Sequence, residues 1–241
     1  MATERNEKAA DVRPVQIVKN YVKHAEGSCL FSMGRTKVLC VASVEEKVPP
    51  HAEEKNIGWV TAEYSMLPRA GAKRTPRGRA ASGGRSQEIS RLIGRSLRGI
   101  VDLEKLGKRS IIIDCDVIQA DGGTRTASVN GGMIALALAL KKLYKEGTLS
   151  DWPLKDFVGA VSVGIVDSRP VLDLDYEKDE RAESDMNFVM TGRGHFVEIQ
   201  GTAEKKPFTK DEFLSVLNLA RKGIRNILAL QKRAVGKLPG F

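Results

Sequence analysis

Histidine and cysteine are scarce in this chain, and their placing removes whole classes of chemistry. Three histidines, His24, His51 and His195, are scattered over 241 residues. A zinc centre or a histidine-based nucleophilic triad needs such groups at characteristic spacing, so neither is expected. The three cysteines, Cys29, Cys40 and Cys115, stand inside apolar, strand-like runs without metal-ligand spacing. They read as buried free thiols of a reducing compartment. No run approaches the ~20 apolar residues that a membrane span needs. The opening stretch, residues 1–11, is polar and mixed in charge, unlike a signal peptide. These absences predict a cytoplasmic protein with no membrane partner.

Acid is missing from one stretch in particular. From Tyr64 through Gln87 there is no Asp or Glu, while Arg69, Lys73, Arg74, Arg77, Arg79 and Arg85 supply six positive charges. The chain as a whole carries a net charge of +9, and charge concentrated in this way points to a polyanionic partner. Glycine, alanine and proline fill the rest of the stretch, so residues 69–84 predict a mobile surface loop rather than core.

What is present is organised around Ile111 to Ser128. Ile111, Ile112, Ile113, Val117 and Ile118 suit a buried strand. Asp121-Gly122-Gly123 then breaks the strand, and Thr124-Arg125-Thr126 leads into a helical segment, residues 127–145. A strand that turns through glycines into a helix start presents free backbone N–H groups at the positive end of the helix dipole. Glycine lets an anion approach closely, and Arg125 adds a planar, fixed charge. The same stretch is also compatible with a plain tight turn. A second copy favours the anion site: Gly83-Gly84-Arg85-Ser86 precedes a helical segment over 87–103, with Ile89, Leu92, Ile93, Leu97, Ile100 and Val101 on one face. If the two helix starts converge, Arg85 and Arg125 clamp one anion between them.

With 41% hydrophobic and 29% charged residues, the chain can bury the core of one large domain or of two closely packed halves. Strands are expected near 14–18, 28–33, 38–42 and 59–66, with a charged, proline-containing linker over 45–56. Hairpins are expected at 158–174, turning at Asp167-Ser168-Arg169, and at 185–200, turning at Gly192-Arg193-Gly194. Thr209 and Glu212 form a capping box, with Phe208 and Phe213 at the staple positions. That helix runs to about Arg233 with Leu214, Leu217, Ala220, Ile224, Ile227 and Leu228 on its buried side. Strands followed by helices argue for an α+β fold, mixed or antiparallel sheets packed with α-helices.

One acidic cluster interrupts the basic chain: Asp173, Asp175, Glu177, Asp179, Glu180, Glu183 and Asp185. Most of it reads as a solvated hairpin edge and polar loop. Asp185 differs because it opens an apolar strand. One or two aspartates with waters and substrate phosphate are the usual shell of Mg²⁺. Asp114 and Asp116 lie on one strand face, and their apolar flanks suggest structural pairing with arginines.

Three blocks carry a family resemblance: Arg85-Ser86-Gln87-Glu88-Ile89 with Arg91-Leu92-Ile93-Gly94-Arg95, Gly122 through Ser128, and Asp185-Met186-Asn187-Phe188-Val189-Met190-Thr191. Together they resemble the ribonuclease PH family, related to polynucleotide phosphorylase and to exosome ring subunits. The resemblance runs in order from about Arg13 to about Lys232. It implies a ribonuclease PH-type fold as one domain over 1–241, with residues 1–12 as a flexible start and 234–241 as a tail. It also implies a homohexameric ring built as a trimer of dimers.

The implied activity is phosphate-dependent 3′-to-5′ trimming of precursor tRNA and other RNA 3′ ends, with release of nucleoside diphosphates. The reverse nucleotidyl addition is expected from the same site. Arg85, Gly123, Thr124 and Arg125 would bind inorganic phosphate, the co-substrate. Arg69, Lys73, Arg74, Arg77 and Arg79 would hold the RNA backbone. Asp179 and Asp185 match the family's acidic site residues and are candidates both for catalysis and for Mg²⁺. Asp185 is the first choice as metal ligand and Asp179 as general acid. Gln200-Gly201-Thr202-Ala203-Glu204 matches a family block without a role that the residues themselves give. Two other classes compete, a catalytically silent RNA-binding ring subunit and a general basic RNA-binding protein. The full set Arg85, Thr124, Arg125, Asp179 and Asp185 favours the enzyme.

Overall fold

The computed structural model describes residues 11–78 and 83–239. Arg79, the first ten residues and the last two lie outside the described residues. In chain order the elements are β1 (Val15–Lys19), β2 (Gly27–Met33), β3 (Thr36–Glu45), α1 (Pro50–Glu53), β4 (Trp59–Met66), α2 (Gly84–Arg98), α3 (Leu103–Leu106) and β5 (Ser110–Gln119). They continue with α4 (Thr124–Lys145), β6 (Val158–Val166), β7 (Arg169–Leu172), α5 (Tyr176–Arg181), β8 (Ser184–Thr191), β9 (Phe196–Ala203) and α6 (Lys210–Val235).

The strands make two sheets, β1-β2-β3-β5-β4 and β7-β6-β8-β9. All pairs are antiparallel except β4 with β5. That parallel pair needs a crossover, and the segment carrying α2 supplies it. The α+β reading holds, and most element bounds agree with the sequence patterns. The differences are local. The helical segment expected over 87–103 starts earlier and stops at Arg98, with Gly99 as its C-cap. Ile100 and Val101 stay buried beyond its end. The linker over 45–56 contains the short helix α1, and the acidic loop winds into α5. On α6, Leu214 is exposed rather than buried, while Val216 is buried. The capping box is complete at Thr209 and Glu212, and the Phe208 and Phe213 rings stack at 6.5 Å.

Helix α4 is the centre of the molecule. It packs on β2, β3 and β5 of the first sheet and on β6 of the second. Accordingly it is apolar nearly all round, as a helix between two sheets must be. Its closeness to the first sheet rests on small residues. A side chain on Gly131 would meet Cys40 Sγ at 2.6 Å, and one on Gly27 of β2 would meet Ala139 N of the helix at 2.6 Å.

The second sheet is tied on by a buried amide. Asn130 Nδ2 donates to Ala160 O, and Ala160 N donates to Asn130 Oδ1, both at 2.8 Å. Gln231 of α6 adds a bond from its Nε2 to Val158 O at 3.0 Å. One hydrophobic cluster therefore runs from Phe31 and Cys40 through Ile134 to Phe188 and Ile224.

Candidate active site

The β5–α4 junction is where the phosphate-binding pattern was expected, and its conformation suits that use. Gly122 and Gly123 both adopt left-handed backbone, at φ +72° and +64°. A side chain on Gly122 would also meet the Asp175 backbone at 2.7 Å, so glycine is required there twice over. The loop carbonyls are held from behind. Thr36 Oγ1 donates to Gly122 O at 2.6 Å, and Thr126 Oγ1 donates to Gly123 O at 3.0 Å. With the carbonyls engaged, the amides opening α4 face outward with the helix dipole behind them.

A buried clamp sets this loop against the acidic segment. Arg13 donates from Nε and Nη2 to both carboxylate oxygens of Asp173, at 2.9 and 2.7 Å. Its Nη1 donates to Asp121 O at 2.5 Å. The Asp173 side chain has no exposed surface. Asp173 was expected at a solvated edge; it is instead the buried anchor of the site, in a bidentate pair that recovers its desolvation through geometry. The only sequence hint is its place within the apolar run Val171-Leu172-Asp173-Leu174.

A cavity of about 1290 Å³ opens above the loop. It is lined by Gly122, Gly123, Thr124, Arg125, Arg85, Asp179 and Asp185, so the two glycine-arginine helix starts do converge. Both carboxyls lie within the electrostatic reach of both arginines. Lys73 of the basic loop also reaches this cavity. Arg69, Arg74 and Arg77 do not line it. Arg69 Nη1 instead donates to Ala72 O at 2.9 Å. The base of the loop is anchored, since Ala70 is buried and its carbonyl accepts from Ala120 N at 2.9 Å.

The far wall of the cavity is one face of the second sheet. Ser162, Asn187 and Gln200 stand in one cross-strand row, and Asp185 pairs with Thr202 in the next. All of them line the cavity. Gln200 has a definite task. Arg125 Nη1 donates to Gln200 Oε1 at 2.6 Å, and Gln200 Nε2 donates to Glu88 Oε1 at 2.8 Å and Glu198 Oε1 at 3.0 Å. This chain of bonds aims the guanidinium. Tyr64 is a second residue that the sequence reading missed. Its buried hydroxyl donates to Thr124 Oγ1 at 2.9 Å, which leaves the Thr124 proton for another acceptor. Burial holds the Tyr64 phenol above its usual range.

Asp179 and Asp185 share one electrostatic character. Burial raises both carboxyls above the usual carboxylate range, opposed by Arg85 and Arg125. Asp179 raises Asp185 further. Neither carboxylate forms an ion pair among the described residues. Desolvated, unpaired oxygens facing a cavity fit a hard divalent cation. Among the described residues no group of three or more His, Cys, Asp or Glu side chains would cage a metal alone. The donor set therefore suits an ion completed by waters and substrate phosphate.

Comparison with known proteins agrees with this geometry. Residues 11–142 match the model of the 3′ exoribonuclease family, domain 1, and residues 156–223 match that of domain 2. The chain belongs to the 3′ exoribonuclease family. A curated relative, Ribonuclease PH of Moorella thermoacetica, is 53% identical over 232 residues, covering 95% of this chain and 92% of the relative. These matches bear out the activity expected from the sequence, a phosphorolytic 3′-to-5′ exoribonuclease of tRNA processing.

Solved structures bear out the fold. Rice (Oryza sativa) Rrp46 superposes with a TM-score of 0.78 at 16% identity, over 98% of this chain and 100% of that one. An Archaeoglobus fulgidus exosome with RNA bound to its active site superposes with a TM-score of 0.75 at 20% identity, over 96% and 94%.

A second, smaller cavity of about 640 Å³ lies beside β4 and β5 and carries Glu63, Asp114 and Asp116. The expected pairing of the two aspartates with arginines is not found: no ion pair joins Asp114 or Asp116 to an arginine among the described residues. Burial, and then the Glu63 charge, raises both carboxyls. A carboxyl raised by folding costs stability once pH exceeds its folded value and costs none below the unfolded one. Asp114→Asn should therefore melt at higher temperature than the wild type near neutral pH. The difference should vanish below the ordinary carboxylate range; thermal melts at both pH values check it.

Proposed function

We propose that the larger cavity is the active site and that inorganic phosphate binds between the two helix starts. The observation that carries this reading is the convergence of Arg85 and Arg125 on the cavity that also holds Asp179 and Asp185. Amides at the start of α4, the Thr124 hydroxyl and the two guanidinium groups offer donors suited to a tetrahedral anion. The RNA 3′ end enters over Lys73, with Arg69, Arg74, Arg77 and Arg79 supplying backbone-directed charge.

A phosphate oxygen attacks the phosphorus of the last linkage. The bond to the 3′ oxygen of the preceding nucleotide breaks, and the terminal nucleotide leaves as a nucleoside diphosphate. Two polyanions meet in this step, so positioning and charge stabilisation dominate catalysis. Asp179, whose burial favours the protonated form, gives the leaving 3′ oxygen its proton. A Mg²⁺-type ion would be held principally by Asp185, with Asp179 able to join as second ligand once it has given up its proton, and the ion would supply charge neutralisation at the scissile linkage. The same constellation run backwards adds nucleotides from nucleoside diphosphates.

Precursor tRNA is the proposed substrate, a homohexameric ring the proposed assembly and the cytoplasm the proposed location. The exosome likenesses support a ring. No helix among the described residues is long and apolar enough to cross a membrane. The continuous core through α4 supports reading the chain as one domain.

The test is an incubation with a tRNA carrying extra 3′ nucleotides and Mg²⁺, with and without phosphate. Nucleoside diphosphate released only with phosphate is the expected result. Monophosphate released without phosphate would mean hydrolysis and a different role for the glycine-arginine loops. RNA binding without release would indicate a silent ring subunit.

A further inference from the structure

We propose that Tyr176 is the platform on which the base of the RNA 3′-terminal nucleotide stacks. This inference rests on the reading of the larger cavity as the exoribonuclease site. Tyr176 is the only aromatic side chain lining that cavity among the described residues. It is 59% exposed, the highest value for any large hydrophobic residue described. Its ring stacks on no other ring among the described residues, and its hydroxyl takes no hydrogen bond there. A tyrosine ring left so bare beside buried, charged chemistry has no packing role that explains it.

The helix beneath it aims the ring. Tyr176, Asp179 and Glu180 stand at i, i+3 and i+4 on α5 and so share one face, and all three line the cavity. The ring is thus the neighbour of a carboxyl assigned to the terminal linkage. The helix is held firmly. Asp175 Oδ1 caps it by accepting from Lys178 N at 3.0 Å, and Asp175 Oδ2 pairs with Lys178 Nζ at 2.6 Å. Two residues earlier, Asp173 is locked by Arg13. A rigid, two-torsion side chain on a fixed helix loses little entropy when a base lands on it.

Stacking also suits the substrate. An enzyme that removes successive nucleotides must accept every base, and every base has a π-face. Arginines, glycines and carboxylates in the cavity can hold phosphates and sugar, and among the described lining residues Tyr176 offers the only aromatic face for the base. The nucleoside diphosphate released, or used in reverse, would occupy the same platform.

The experiment compares full-length wild type, Tyr176→Ala and Tyr176→Phe. Binding of a short 5′-labelled RNA is followed by anisotropy without phosphate, and phosphorolysis by steady-state kinetics. Each RNA is used with an intact or an abasic 3′-terminal nucleotide. Tyr176→Ala is expected to weaken binding, and to raise KM for intact RNA, by about tenfold to a hundredfold. KM for phosphate should stay unchanged, and Tyr176→Phe should behave as wild type. Abasic RNA should bind the wild type and Tyr176→Ala alike.

A change under twofold for intact RNA would overturn the proposal. So would an equal loss on abasic RNA, a parallel rise in KM for phosphate, or a change of oligomeric state with Tyr176→Ala. If the wild type binds RNA yet releases no nucleoside diphosphate, the exoribonuclease reading fails instead. The anisotropy comparison still decides the stacking.

Discussion

Asp185→Asn is expected to lower phosphorolysis by about a hundredfold or more while leaving the fold as stable as before. The two halves of that result have one cause. The Asp185 carboxyl is raised by burial and by Asp179, so at neutral pH its ionised form costs the folded state stability. Asparagine keeps the shape and removes the charge, and the melting temperature should hold or rise. On the proposed reading, catalysis loses a negative oxygen that lines the cavity where the scissile linkage would sit. Charge stabilisation there is worth several kcal/mol, and each ~1.4 kcal/mol is tenfold in rate. Steady-state rates and thermal melts on the same preparation check both halves. A loss under tenfold would remove Asp185 from the chemistry, and a large fall in melting temperature would mean that the carboxylate supports the fold.

Arg125→Ala should reduce kcat/KM for phosphate by about a hundredfold to a thousandfold, the range for losing one preorganised donor at a developing charge. Arg125 is held by Gln200 at 2.6 Å with Glu88 at 3.8 Å, so its fork is aimed before phosphate arrives. Arg125→Lys should recover only part of the loss, because an ammonium cannot reproduce the planar pair of donors. The measurement is nucleoside diphosphate release against phosphate concentration. KM for RNA provides the contrast, since the substitution leaves the basic loop proposed to hold the RNA backbone unchanged. An alanine variant within tenfold of wild type would place phosphate elsewhere.

Much of this site is legible in the sequence because its signals are local. Gly122-Gly123 before a helix-forming run marks a left-handed turn and a dipole end, and both occur. The same logic reads Thr209 and Glu212 as a cap. The misses have a common origin. Asp173 sits in an acidic run that looks solvated, yet it is buried against Arg13, 160 residues away. Tyr64 looks like an ordinary strand residue until β4 meets the start of α4. Asp114 and Asp116 lack arginine partners among the described residues: across the β4–β5 pair Asp114 faces Glu63 and Asp116 faces Ser65. Leu214 fits a helical stripe, yet it is exposed while Val216, two residues on, is buried and Phe213, one residue before, packs on the core.

The sequence by itself determined the strands and the long helices, the two glycine-arginine helix starts, the basic stretch and the family, but not the short helices α1 and α5. Periodicity, turn residues and charge runs act over a few positions, so a linear reading captures them. Only the tertiary structure decided that Arg85, Arg125, Asp179 and Asp185 face one cavity, that Gln200 aims Arg125, and that Tyr176 stands bare beside them. Those relations depend on strand register across β6, β8 and β9 and on α4 joining two sheets. Such registers are set by burial of whole faces, and no short stretch of the chain contains both partners.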